Sequence, residues 1–194
     1  MTCDAGPPDA ALARRAANGD ERAFAELVRR HGESLYKMLR RYTGDPDDAY
    51  EAAHEAFIAA WSALSRYDPE RPFLAWLRAI AINKARDRGR RAAFRRMLFG
   101  AESVDEGDAL ATPDPGRAAD EALMEQQDAL RLEGAIARLP APLKEALVLT
   151  AFEGFSQQEA GAMLGVSAKT IETRAYRARK LLARTIEPDL KPKA

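Results

Sequence analysis

Between Phe73 and Arg96 one angular line of the chain changes character halfway along. Phe73, Trp76, Leu77, Ile80 and Ala81 recur at the spacing of a helix packed on a core. The same line then turns basic at Lys84, Arg88, Arg91 and Arg95, with Asp87 the one acid of the segment. A helix of roughly 24 residues is some 36 Å long at about 1.5 Å per residue. Such a rod anchors at one end and offers cations to a polyanion with the other. The pattern predicts a nucleic-acid-facing element.

Charge is segregated around that rod. The 194 residues carry 30 basic and 30 acidic side chains, so the net charge is zero. Yet residues 10–97 hold 18 Lys/Arg against 12 Asp/Glu, and residues 98–128 hold Arg117 against nine acids. Residues 129–194 turn basic again, with 11 cations and 7 acids. Two basic blocks flank an acidic strap, a partition that uniform surface solvation does not require. Abundant Ala and Arg with few β-branched residues favour helix over sheet. The single cysteine, Cys3, leaves neither an intrachain disulfide nor a cysteine metal site. No apolar signal segment or transmembrane-length run is present, which predicts a cytoplasmic protein without membrane insertion. Two histidines, no HExxH pair, no phosphate-cradling glycine loop and no nucleophile motif argue against an enzyme, a metal and a cofactor.

Most of the punctuation reads as helix caps. Asp9 is placed to cap a short Ala-rich helix that closes at Asn18-Gly19, and Asp20 opens the next, with Phe24, Leu27, Val28, His31, Leu35 and Met38 inward. Asp45-Pro46 sets a cap residue before proline at the first helical position. The helix that follows carries Ala49, Ala53, Ala56, Phe57, Ala60, Trp61 and Leu64 as its buried stripe. Near the C-terminus Ser156 caps a helix containing Glu159, Ala160, Met163 and Leu164; Gly165 allows a tight turn, Val166 plugs inward and Ser167 caps a last helix to about Arg184. Helix, glycine turn and capped helix at this spacing form a helix-turn-helix. In the last helix Ile171, Ala175, Ala178 and Leu182 face in, and Lys169, Glu172, Thr173, Tyr176, Arg177 and Lys180 face out, a surface suited to base edges and phosphates in a major groove.

Phe73-x-x-Trp76-Leu77-x-x-Ile80-Ala81-x-Asn83-x-x-x-Asp87-x-x-Arg90-Arg91 resembles region 2 of the extracytoplasmic-function, or group IV, sigma factors of bacterial RNA polymerase. Thr43 to Ala49 and Phe57-x-x-Ala60-Trp61 precede it at the family's distance. Leu139-Pro140 followed by Ala160 to Arg179 resembles region 4. The resemblance implies an all-α chain of two small helical domains joined by a flexible acidic linker. Its expected division is an N-terminal tail and short helix at 1–19, a region 2-like domain at 20–97, the linker at 98–128, a region 4-like domain at 129–186 and a tail at 187–194.

It also implies partners and sites. Core RNA polymerase, through its β′ and β subunits, would meet Asp48, Glu51, His54 and Glu55. The −10 element, captured as single strand, would meet Tyr67, Asp68, Asn83, Lys84, Arg88 and Arg91, since trapping unstacked bases needs aromatic and polar groups beside phosphate-binding cations. The −35 element would meet Lys169, Thr170, Glu172, Thr173, Arg174, Tyr176, Arg177 and Lys180. Trp76 and Trp61 are read as core packing and Asp87 as a local salt-bridge organiser. Gly161 stands where the family usually has alanine, at about 1 kcal/mol of helix propensity. Glu102, Asp105, Glu106, Asp108 and Asp114 suit either a basic-lined polymerase channel or a plain tether. An anti-sigma factor is an expected further partner. The competing readings are a sigma-like decoy for an anti-sigma factor and a helix-turn-helix repressor.

Overall fold

The computed structural model describes residues 7–99 and 117–186, with the side chains of Arg96, Phe99 and residues 117–126 left aside. The described residues form helices and no strand. Helix α1 is Asp9–Ala17, α2 Glu21–Thr43 and α3 Pro46–Ala63; a 3-10 turn at Leu64–Arg66 and a loop lead to α4, Phe73–Phe99. Helix α5 is Arg117–Ala137; α6, Ala141–Leu147, runs on into a π turn at Val148–Phe152; α7 is Gln157–Leu164 and α8 Ala168–Ile186. The five acids expected at 102–114 lie outside the described residues.

The caps settle the boundaries. Asp20 accepts from the Ala23 N–H at 3.0 Å and Asp45 from the Asp48 N–H at 2.7 Å. Ser156 and Glu159 exchange hydrogen bonds in a capping box, and Ser167 accepts from the Thr170 N–H at 3.2 Å. Asp9 departs from the expectation. It sits inside the first turn of α1 and reaches across to Arg30 and to His31 Nε2 at 2.7 Å, so it ties α1 to α2 instead of capping.

Helix α3 packs against both α2 and α4. Its buried face is almost all alanine (Ala49, Ala52, Ala53, Ala56 and Ala60), so the large side chains come from its neighbours: Leu27, Leu35, Met38 and Leu39 from α2, Phe73, Leu77 and Ile82 from α4. Trp61 differs from its expected place. It lies at the rim, exposed on one side and edge-on to Phe24 at 4.9 Å on the other. In the second half Ile136, Leu147, Leu149, Ile171 and Ala178 form the core, with α6 and α7 both against α8.

The two halves also touch. Helix α5 and the π turn lie against α2, α4 meets α7, and the buried residues of both halves form one contiguous cluster. Gly44, in the left-handed conformation that ends α2, is so close to Ala137 that a side chain there would overlap it. Phe152 is half exposed, beneath the Arg41 guanidinium at 5.2 Å.

Gly161 is required by packing. An alanine Cβ at this position would stand 2.6 Å from the Val166 carbonyl oxygen, which belongs to the turn before α8. Helix propensity favours Gly161→Ala by about 1 kcal/mol, whereas displacing a packed backbone costs about 1–3 kcal/mol. Gly161→Ala is therefore expected to lower the melting temperature; a rise would show that the turn gives way freely.

Candidate nucleic-acid interface

At 27 residues α4 is about 40 Å long, and its arginines take three different courses. Arg78 and Arg86 turn to the second half of the chain: Arg78 pairs with Glu153, and Arg86 forks onto Glu145 at 2.9 and 2.7 Å. Arg88 turns to α3, 3.0 Å from both Asp48 and Glu55 and 4.0 Å from Glu51. Arg90 pairs with Asp87, which thereby organises the local charge as expected. Lys84 and Arg91 have no ion-pair partner among the described residues, and Asn83 is exposed just before Lys84. Of the cations expected on phosphate, the structure leaves Lys84 and Arg91 open and holds Arg88 on carboxylates.

The loop into α4 is held from within by Tyr67. Only 9% of Tyr67 is exposed; its hydroxyl donates to the Arg71 carbonyl at 2.6 Å, and its ring lies 5.5 Å from Phe73 and 5.1 Å from Trp76. Burial pushes its phenol above the ordinary value, so it stays a donor. The aromatic expected to receive a base is therefore a bracket that shapes the loop, because closing the hydrophobic corner over Phe73 removes more apolar surface from water than leaving the ring outside. Asp68 remains exposed at the tip, accepting from the Glu70 N–H at 3.0 Å. Trp76 is partly buried against the core, as expected of a packing residue.

On α3, Asp48, Glu51 and His54 are exposed and Glu55 is half-buried under Arg88. Beside these acids runs a line the sequence reading missed: Tyr50, 66% exposed, and Ile58, 55% exposed, continuing to the rim of Trp61. The positions 50, 54, 58 and 61 share one helix face, a second periodicity hidden beneath the stronger alanine stripe. An apolar ridge with acids alongside suits a partner that is basic at its edges.

The outer face of α8 is open along its length. Thr173 donates to the Lys169 carbonyl at 2.9 Å, and Lys169 pairs with Glu172 at 2.8 Å. Thr170 shares a hydrogen bond of 2.9 Å with Ser167. Tyr176, Arg177 and Lys180 are exposed, and Arg174 is half-buried. Two shallow hollows flank this face. One of about 260 Å³ is lined by Thr170, Thr173, Arg174 and Arg177, and one of about 360 Å³ by Glu172, Thr173 and Tyr176. The structure thus gathers all eight expected residues on or beside one helical surface.

Comparison with known proteins agrees with this layout. Residues 27–95 match the model of Sigma-70 region 2 and residues 129–182 that of Sigma-70 region 4. The RNA polymerase sigma factor CnrH of Cupriavidus metallidurans is 42% identical over 186 residues, 93% of this chain and 95% of CnrH. The ECF RNA polymerase sigma-E factor of Escherichia coli is 30% identical, over 93% of this chain and 95% of its own. A solved structure of CnrH in complex with the cytosolic domain of CnrY superposes with a TM-score of 0.66 at 36% identity, covering 93% of this chain and 98% of that one. With two helical units in the order region 2, region 4 and relatives matched along nearly their whole length, the chain belongs to the extracytoplasmic-function sigma factors, alternative factors that direct promoter-specific initiation by bacterial RNA polymerase.

Proposed function

We propose a division of that activity among three surfaces. Residues 20–97 form the unit that binds core polymerase and the −10 element, and residues 129–186 the unit that binds the −35 element; of the linker at 98–128, residues 117–128 are already the start of α5. Asp48, Glu51, His54 and Glu55, together with Tyr50 and Ile58, meet the polymerase β′ subunit. Asp68, Asn83, Lys84 and Arg91 capture the −10 strand at the tip of the loop and along the open side of α4. Lys169, Thr170, Glu172, Thr173, Arg174, Tyr176, Arg177 and Lys180 read the −35 duplex in the major groove. Tyr67 acts through the loop it braces, and Arg88 serves where the acids of α3 are drawn to a partner. The protein works in the cytoplasm, where promoter and polymerase are; no helix among the described residues is long and apolar enough to cross a membrane. An anti-sigma partner belongs to the same reading, since the relative CnrH has been seen in complex with the cytosolic domain of CnrY.

The observation that carries the −10 assignment is the open pair Lys84 and Arg91 beside Arg86, Arg88 and Arg90, which carboxylates hold. Lys84→Glu with Arg91→Glu is expected to cut promoter-specific initiation by core polymerase at least about tenfold, while core binding by gel filtration stays near normal. Unchanged transcription in vitro would remove the assignment.

For α8, Arg177→Ala is expected to weaken binding to the duplex promoter and to reduce the slope of log affinity against log salt by about 1. Thr173→Ala is expected to relax base preference at one position, measured by competition among duplexes. If both variants bind every duplex as the parent does, the reading face lies elsewhere.

A further inference from the structure

With Tyr67 folded into its loop, Phe73 sealed at 2% exposure and Trp76 set on the core, the start of α4 keeps no free aromatic ring for a base. Holding an unstacked base nevertheless calls for a π face beside the cations that hold its phosphates. Further along the same helix one ring stands outside the core. Phe94 is 57% exposed and has no ring partner among the described residues. Residues three and four apart are neighbours on a helix, so Phe94 lies beside Arg90 and Arg91 on one side and Met97 and Leu98 on the other. Arg91 and Arg95 are exposed and have no ion-pair partner among the described residues, whereas Arg90 is held by Asp87. Arg91, Phe94, Arg95 and Leu98 follow the i, i+3, i+4, i+7 spacing of a single helix face, and Lys84 lies on the same line two turns before Arg91. A lone exposed phenylalanine is ordinary on a protein surface. This one alternates with unpaired cations on a face already assigned to a single strand, the pattern of rings for bases and guanidiniums for phosphates.

We propose that Phe94 is a further capture point for the melted promoter strand, a platform on which one unstacked base lies flat while Arg91 and Arg95 hold the adjacent phosphates. The proposal rests on the assignment of Lys84 and Arg91 to the −10 strand and adds to it the side chain that takes the face of a base. Phe94 lies about 15 Å along α4 from Lys84, roughly four nucleotide steps at about 3.4 Å each for a strand laid along the helix. The base it takes is thus a different one from the base beside Asn83. Stacking on a ring tolerates any base, so Phe94 keeps the strand in place without selecting sequence. Selection stays with the polar groups Asp68 and Asn83, both exposed near the loop.

Two probes separate base from phosphate: a short oligothymidine strand and an abasic strand of the same length. The full chain is titrated with each at low salt, since Phe94 is open in the chain by itself. Phe94→Ala is expected to lower affinity for oligothymidine about tenfold and to leave the abasic strand within about twofold, with the slope of log affinity against log salt unchanged. Phe94→Leu is expected to bind as the alanine variant does and Phe94→Tyr as the parent does, because a base needs a flat π face more than apolar bulk. Circular dichroism is expected to show the parent's helicity in all three, the ring being outside the core. Parental affinity of Phe94→Ala for oligothymidine, an equal loss on both strands, a leucine variant that binds like the parent, or a tyrosine variant that binds like alanine would each overturn the proposal. Lys84→Glu with Arg91→Glu, expected to weaken both strands alike, is the reference. If that pair acts while Phe94→Ala is silent, the −10 assignment stands and the platform alone falls; if the pair is silent too, both fall.

Discussion

A carboxylate as deeply placed as Glu145 is tolerated only because a guanidinium arrives with two parallel donors and a phenol supplies a third. Taking one such charge out of water costs several kcal/mol, and the attraction of a well-aligned fork offsets much of that cost without turning it into a large net gain. Tyr42 contributes because burial, and then the charge of Glu145, push its phenol well above the ordinary value and keep the proton on it. Arg86 in turn is held more firmly protonated by the hydrogen bonds it donates to Glu145. The arrangement is strongly selective about what it accepts and only modestly stabilising. Those are the properties of a contact that fixes one register between the two halves.

Helix α4 concentrates the consequences. Its first half is fixed by Phe73, Leu77 and Ile82 in the core, so its orientation does not depend on where its cations go. Its arginines are then distributed by geometry: one set toward the second half of the chain, one onto α3, one left open with Lys84. Arg78 shows what that distribution entails. Burial lowers its pKa, Glu153 opposes that effect, and its Nε has no hydrogen-bond partner among the described residues. A guanidinium left one donor short is under constant pull toward water or toward an anion with more acceptors.

Much of this was legible from residues alone, and what was not follows a physical rule. Caps, glycine turns and the helical stripes involve neighbours within four residues, so Asp20, Asp45, Ser156, Ser167 and Gly165 could be read directly. The helix-turn-helix and its outward face needed only those local signals. Tyr67 was misjudged because an aromatic in a polar loop looks exposed; the corner it fills is made by Phe73 and Trp76, which become its neighbours only when α4 folds back over the loop. Gly161 looked like a mild helix weakness because the atom that forbids a side chain, the Val166 carbonyl oxygen, belongs to the following turn. The pairing of Arg86 with Glu145 spans 59 positions, and nothing in charge blocks distinguishes that carboxylate from the others. Asp9 shows the same limit at shorter range: a good cap residue found stronger partners in Arg30 and His31 across a helix interface.

Arg88 joins the surfaces that the function requires to act together. It lies within 4.0 Å of three acids of α3, and those acids are the ones assigned to the polymerase. A basic partner surface that settles on α3 competes with Arg88 for the same carboxylate oxygens, because each oxygen has few acceptor sites and like charges crowd one another. The guanidinium displaced by that competition lies on the same helix as Lys84 and Arg91, where a phosphate offers it equivalent acceptors. On the assignments proposed above, a partner on α3 would therefore change the charge that α4 presents. If a phosphate then takes up the displaced Arg88, linkage requires the two binding events to reinforce each other equally in both directions.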